Sequence, residues 1–315
     1  MVISDMVIGD LVIFSKGVLG QGAFGTVFRG EWQRGPCAAK MLSILGNELC
    51  TQQGAVQEKV LARFKQECDF MKTLQHPNIV AYYDTLFHPG CNLPVLVMEL
   101  MDTSLCQYLT NVENLSMKIQ FNFSYNIAAA LEFLHNKNLV HGDLCGDNVL
   151  LKYSDIIPVA KVSDLGMSHL IMKHPELAHS LTVIGHCPGY LPPEAPEYPT
   201  GYDSSLDIFM FGAVMTQIAS KAPTIKSKAE RQQLVNQLNV TKHPLNPIIC
   251  QCLNERKDKR PIACTVSTSL QYACESLATE GTTTPTMDNI ANKMQQLYLE
   301  QPTPNSGKLP LSSQE

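Results

Sequence analysis

The chain has 315 residues and a mass of 34.8 kDa, and its 44% hydrophobic and 17% charged content excludes a disordered polypeptide. That length suffices for one large domain or two small ones around a real core. A formal net charge of −5 and a pI of about 6.0 argue against a globally basic nucleic-acid binder.

At the N terminus, Asp5 and Asp10 interrupt an apolar stretch, so no signal-peptide pattern forms, and no apolar run anywhere approaches a membrane span. The first third reads as β-rich. Segments 10–14, 17–19, 26–32 and 37–42 carry β-branched and aromatic residues punctuated by glycine. Residues 55–74 then switch to a helical period through Val56, Val60, Phe64, Phe70, Met71 and Leu74, ending near His76-Pro77. Two strand-like runs follow, 79–87 and 94–100. Beyond residue 102 the texture is mainly helical, with a long periodic stretch over 116–136 and a buried-looking apolar helix over 207–218. Short runs at 149–151 and 160–162 predict a small hairpin. Residues 164–194 read as a long loop rich in His, Gly and Pro, of the kind that is usually functional. The tail from 280 is predicted to be unstructured, apart from one amphipathic helix through Met287, Ile290, Met294 and Leu297.

Eleven cysteines show no zinc framework, since the close pair Cys250 and Cys252 has no second pair at ligand spacing. The expectation is a cytoplasmic protein with free thiols. The histidines at 169, 174, 179 and 186 cluster in the long loop, but not at the spacing of a metal site.

Several short segments carry chemistry. Gly20-Gln21-Gly22-Ala23-Phe24-Gly25-Thr26-Val27 fits G-x-G-x-x-G-x-V, in which glycines let backbone amides approach phosphate oxygens. The same pattern opens dinucleotide-binding units, but there a helix follows; here the next residues are β-branched, so strand–turn–strand fits better, and an ordinary glycine hairpin is the plain alternative. Lys40 closes a short apolar strand and Glu67 lies on the helix after it; each alone reads as a solvated side chain. In the segment 139–151, Asp143 and Asn148 stand five residues apart between apolar runs, as a base and a metal ligand on one loop would. Asp164, after the next strand, could share the same Mg²⁺, which favours few carboxylates plus phosphate oxygens.

In this order and spacing the chain resembles the eukaryotic protein kinases over about residues 12–278, closest in texture to the tyrosine-kinase-like group of Ser/Thr kinases. Residues 20–27 resemble the glycine-rich loop, Lys40 the lysine of V-A-I-K, Glu67 the helix glutamate, HGDLCGDN the catalytic loop and Asp164-Leu165-Gly166 the D-F-G motif. Pro192-Pro193-Glu194 resembles A-P-E, residues 207–212 the buried D-V-W-S-F-G helix, and Arg260 the arginine that pairs with Glu194. The resemblance implies an α+β, bilobal protein kinase fold. A small antiparallel β-sheet lobe with one main helix (12–101, five strands) would meet a larger, mainly helical lobe (102–278), flanked by an N-terminal extension (1–11) and the tail (279–315). It further implies ATP in the cleft, contacted by Leu19, Gly20, Gln21, Gly22, Ala23, Phe24, Gly25, Val27, Ala38, Lys40, Met98, Glu99, Met101 and Leu150. Asn148 and Asp164 would hold Mg²⁺. Asp143, with Lys40 and Glu67, would transfer the γ-phosphoryl group to a protein hydroxyl, Ser/Thr by preference.

Four departures accompany the resemblance. Gly142 replaces the Arg that pairs with an activation-loop phosphate, so activity is expected not to depend on phosphorylation at Ser180 or Thr182. Cys145 stands where a Lys steadies the γ-phosphate, Leu165 replaces Phe, and Cys187 replaces the activation-segment Thr. The alternatives are a pseudokinase scaffold, favoured by Gly142, Cys145 and Cys187, and a small-molecule kinase. His141 is expected to brace the catalytic loop, and Asp207 and Arg260 to be buried groups held by partners.

Overall fold

Residues 11–22 and 25–32 form the first long antiparallel pair of a six-stranded sheet. β1 (Met6–Ile8), β2 (Leu11–Gly22), β3 (Gly25–Trp32), β4 (Gly35–Leu42), β5 (Tyr82–Phe87) and β6 (Pro94–Glu99) are arranged β1-β2-β3-β4-β6-β5, each pair antiparallel. The computed structural model describes residues 5–22, 25–42, 71–87, 94–165, 188–195 and 203–278. Alternation along the strands puts Leu11, Ile13, Cys37, Ala39, Val95 and Val97 into one buried cluster, as the two-residue period of a half-buried sheet requires. Gln33 and Arg34 both take positive φ between β3 and β4, the twist-matched two-residue hairpin turn. The sheet has one strand more than the five expected, because Met6–Ile8 pair with Leu11–Ile13. Of the expected helix over 55–74, Met71 and Lys72 are helical; Glu67 and the rest of 43–70 lie outside the described residues.

The second lobe is helical. It contains β7 (Thr103–Ser104), α1 (Leu105–Asn111), α2 (Met117–Asn136), the hairpin β8 (Val149–Lys152) and β9 (Val159–Val162), α3 (Ser204–Ser220), α4 (Lys228–Val240), α5 (Asn246–Cys252) and α6 (Ala263–Ala278). Ser104, Ser116 and Ser227 cap α1, α2 and α4 by accepting from amides three residues on. α2 buries Phe123, Ile127, Leu131 and Leu134 from the expected stripe, together with Phe121. Every residue of α3 from Leu206 to Ala219 is buried, as expected of a helix that is apolar all round. The hairpin expected over 149–162 is present, and β7 extends it to three strands. The fold is therefore the bilobal α+β arrangement expected. The lobes are joined by main-chain bonds as well as by the covalent link: Val80 N–H donates to Val162 O at 2.9 Å, and Val162 N–H to Asn78 O at 2.8 Å. The expected helix over 287–297 lies outside the described residues. Among the described residues no helix is long and apolar enough to cross a membrane.

Candidate active site

The glycine cluster forms the end of a β-hairpin. Gly20 pairs with Val27, Gln21 with Thr26 and Gly22 with Gly25, so a strand and not a helix follows the cluster; Ala23 and Phe24 lie outside the described residues. Gly25 has a φ of 153°, on the edge of the region that favours glycine. Gly20 is more informative. Its φ is ordinary, and a Cβ there would meet nothing within 4 Å. Neither backbone strain nor packing among the described residues demands glycine at this position. Leu19, beside it, is 45% exposed. Val27 pairs across the sheet with Lys40, and Ala38 with Met98.

Lys40 is 6% exposed, and its Nζ lies 2.7 Å from Asp164 Oδ1. A buried ammonium needs such a partner to offset desolvation. Asp164 itself takes φ 63°, a left-handed conformation that Asp tolerates better than most residues and that aims its carboxylate back toward β4.

The loop between α2 and β8 is built around one buried carboxylate. Asp207, fully buried at the start of α3, accepts from the amides of His141 (2.7 Å) and Gly142 (2.8 Å) and lies 2.8 Å from His135 Nε2. His141 Nδ1 accepts from Asp143 N–H at 3.2 Å, which leaves the ring proton on Nε2 for donation to Ser163 O at 2.8 Å. The imidazole thus braces the loop against the strand leading to Asp164, as expected. Asn148 Nδ2 donates to Asp143 O (2.7 Å) and Oδ2 (3.1 Å), and Asn148 O accepts from Ser163 N–H (2.9 Å) and Oγ–H (3.0 Å). Both Nδ2 contacts fix the amide orientation, turning Asn148 Oδ1 away from Asp143. Asp143, Asn148 and Asp164 are therefore tied into one hydrogen-bonded frame through Ser163.

Gly142 has φ 74°, a conformation in which a side chain would be strained. Leu144 is fully buried, and Cys145 packs against the large-lobe core. Burial first, and the Asp143 carboxylate second, push the Cys145 thiol well up from its ordinary value. Leu165 also packs on that core.

The strand leading out of the small lobe is clamped. Glu99 accepts from Lys161 Nζ with both carboxylate oxygens at 2.8 Å, and Oε2 also accepts from Ala81 N–H at 3.1 Å. Lys152 Nζ donates to Leu100 O at 2.9 Å, and Asp102 N–H to Leu151 O at 3.0 Å, which fixes Met101 between them. On β8, Val149 and Leu151 are buried in the core, so Leu150 projects from the opposite side of the strand.

Beyond the undescribed 166–187, Glu194 forms a bidentate pair with Arg260 at 2.5 and 2.8 Å, and the Arg260 side chain is fully buried. The guanidinia of Arg260 and Arg231 both lie over the Phe209 ring, at 4.8 and 4.7 Å. Sequence reading did not single out His135, Lys161, Gln217 or Arg231, because none belongs to a local motif. Cys187, Ser180, Thr182 and the four loop histidines lie outside the described residues.

The sequence profile of the protein tyrosine and serine/threonine kinase family matches residues 13–270. Relatives include Serine/threonine-protein kinase WNK of Caenorhabditis elegans, 32% identical over 64% of this chain and 10% of that protein. Serine/threonine-protein kinase WNK4 of Homo sapiens is 31% identical over 77% of this chain and 19% of its own length. Probable serine/threonine-protein kinase zyg-1 of Caenorhabditis briggsae is 29% identical over 69% of this chain and 28% of its own length. The chain thus spans less than a third of each of these relatives. With the two-lobed fold, the glycine hairpin and the Asp143–Asn148–Asp164 frame in place, this match over most of the sequence shows that the chain belongs to the protein tyrosine and serine/threonine kinase family.

Proposed function

We propose that the chain is an ATP-dependent serine/threonine protein kinase acting on protein substrates in the cytoplasm. The observation that carries this reading is the meeting of Lys40 and Asp164 at 2.7 Å, beside a catalytic-loop carboxylate held by Asn148. Lys40 is the cation for the α/β phosphates of ATP, with Glu67 as its orienting partner. The hairpin of Leu19, Gly20, Gln21, Gly22, Ala23, Phe24 and Gly25 covers the phosphates. Val27, Ala38 and Leu150 enclose the adenine, beside Met98 and the backbone of Glu99 and Met101.

A hard divalent ion fits the donor set. Asp164 offers a carboxylate and Asn148 an amide oxygen turned away from Asp143, the sparse all-oxygen set that suits Mg²⁺. Bound there, Mg²⁺ would neutralise phosphate charge. Asp143 accepts or orients the proton of the acceptor hydroxyl, held in place by Asn148 and by the His141 ring beneath its amide. Because the phosphoryl transition state is loose, positioning and charge neutralisation supply most of the acceleration.

Cys145 favours a second reading. Its thiol is turned into the core, so no cation stands at this position to steady the γ-phosphate, which fits either slow transfer or a scaffold that binds nucleotide without turnover. Calorimetric titration with ATP, with and without Mg²⁺, alongside autophosphorylation, separates these readings. Magnesium-dependent binding together with phosphate incorporation supports the enzyme; binding alone supports the scaffold; no binding overturns both.

A further inference from the structure

Two trans peptide groups flank Met101, and the β8–β9 hairpin holds both. Leu100 O accepts from Lys152 Nζ at 2.9 Å, and Asp102 N–H donates to Leu151 O at 3.0 Å. The carbonyl and the N–H of a trans peptide point in opposite directions. Met101 N–H is therefore turned away from Lys152, and Met101 O away from Leu151. Neither of these groups has a hydrogen-bond partner among the described residues, so one donor and one acceptor stand open on a fixed piece of main chain. The Lys152 ammonium is itself held. Asp102 Oδ1 lies 3.3 Å from Nζ, and Asp102 Oδ2 accepts from Tyr153 N–H at 2.7 Å. Register completes the arrangement. Val149 and Leu151 are buried, so Leu150 and Lys152 share the opposite face of β8, and Lys161, paired across from Leu150, lies on that face too. One face of the hairpin thus carries Leu150, which the kinase reading puts against the adenine, and the two lysines that hold Glu99 and Leu100.

We propose that Lys152 is a positioning residue for the nucleotide base, fixing the peptide before Met101 so that its N–H selects adenine over guanine. This rests on the ATP-binding part of the kinase reading and deepens it. Adenine offers an acceptor at N1 beside the N6 donor; guanine offers a donor at N1 beside the O6 acceptor. A fixed N–H meets the first edge and opposes the second, and a site built around one hydrogen bond rejects the base that leaves it unmade. Lys152 acts through the Leu100 carbonyl and not by touching the base, because its ammonium is engaged by Leu100 O and Asp102. The Lys152 side chain is 42% exposed and that of Asp102 30%, so the pair adds little to global stability and its removal is felt locally.

The test is calorimetric titration of the full chain with ATP and, separately, with GTP, each in the presence of Mg²⁺. The wild type binds ATP more tightly than GTP by about tenfold or more. Lys152→Met keeps the aliphatic stem and loses the ammonium, which releases the peptide before Met101. ATP binding then weakens about fivefold, while GTP binding stays within about twofold. Asp102→Asn loosens the hold on the ammonium and moves the ATP-to-GTP ratio the same way by less. Lys152→Arg, still a donor to Leu100 O, keeps the wild-type ratio. A purely structural role, or a general attraction between the ammonium and phosphate, would weaken both nucleotides alike, since they share the triphosphate. The inference alone is overturned by a wild type that binds ATP without preferring it to GTP. It is equally overturned by a Lys152→Met variant that keeps the wild-type ratio or loses both affinities to the same extent. A wild type that binds neither nucleotide overturns the kinase reading, and the inference with it.

Discussion

Lys40 Nζ and Asp164 Oδ1 lie 2.7 Å apart although 124 residues separate them in the chain. The pair joins a strand of the small lobe to the second residue past the β8–β9 hairpin, so it bridges the two lobes. Lys40 is nearly buried, whereas the Asp164 side chain is 31% exposed and can turn to water if its partner is removed. Lys40→Met should therefore cost little stability, moving the melt by a few degrees at most. ATP affinity should instead fall by about tenfold or more, because a charge-assisted contact to phosphate is lost. Calorimetry and a thermal melt on the same sample check both halves.

Gly142 cannot supply a guanidinium, and its φ of 74° would strain any side chain placed there. Activity should consequently be indifferent to phosphate on the 166–187 segment. Phosphatase treatment, or alanine at Ser180 and Thr182, should leave the rate of the folded protein within about twofold, since no bidentate phosphate contact is available to lose. A kinetic comparison before and after treatment decides this. Loss of activity would show that another cation reads the segment.

The Cys145 thiol sits beside the Asp143 carboxylate, yet burial first and Asp143 second push its pKa up, so almost none is thiolate near neutrality. Brief iodoacetamide treatment at pH 7.5 should label the exposed Cys250 and Cys264 while sparing Cys145, with the labels read by peptide mass spectrometry. Because the thiolate fraction grows only as pH approaches the raised pKa, moving to pH 9 should still leave Cys145 largely unmodified while the protein stays folded.

Arg260 and Glu194 form a pair whose arginine side chain is fully buried, stacked on Phe209 and also donating to Asn254 O. Removing one partner strands the other. Arg260→Ala should destabilise the chain by about 3–5 kcal/mol, enough for most of the sample to melt well below the wild type. Glu194→Gln retains one acceptor for the guanidinium and should cost less. Differential scanning calorimetry orders the two variants.

Much of this site was legible in the sequence because the chemistry of each motif is local. The glycine hairpin, the residues 141–148 and Asp164 each need special backbone or side-chain types within a few positions, the long stripe of α2 declares its period, and α3 stands out as a continuous apolar run. What stayed hidden depends on contacts distant in the chain. Gln217 meets Tyr190 and Gly146 only once α3 is packed, and His135 meets Asp207 across 72 residues. β1 is three residues long, too short for a period to show in the sequence. α4 (KAERQQLVNQLNV) buries just Arg231, Val235 and Leu238, so its apolar stripe is too thin to announce a helix. Burial of an arginine there follows from the Gly189 carbonyl and the Phe209 ring, which no local pattern foretells.

The most direct test is phosphate transfer from γ-labelled Mg-ATP to protein, comparing the wild type with Asp143→Asn at matched thermal stability. Asparagine keeps the shape of Asp143 and can still meet Asn148, but it cannot take a proton. The account predicts incorporation by the wild type and a rate lower by about a hundredfold or more in the variant. Equal rates in the two proteins, or no incorporation by a wild type that also fails to bind ATP, would contradict it.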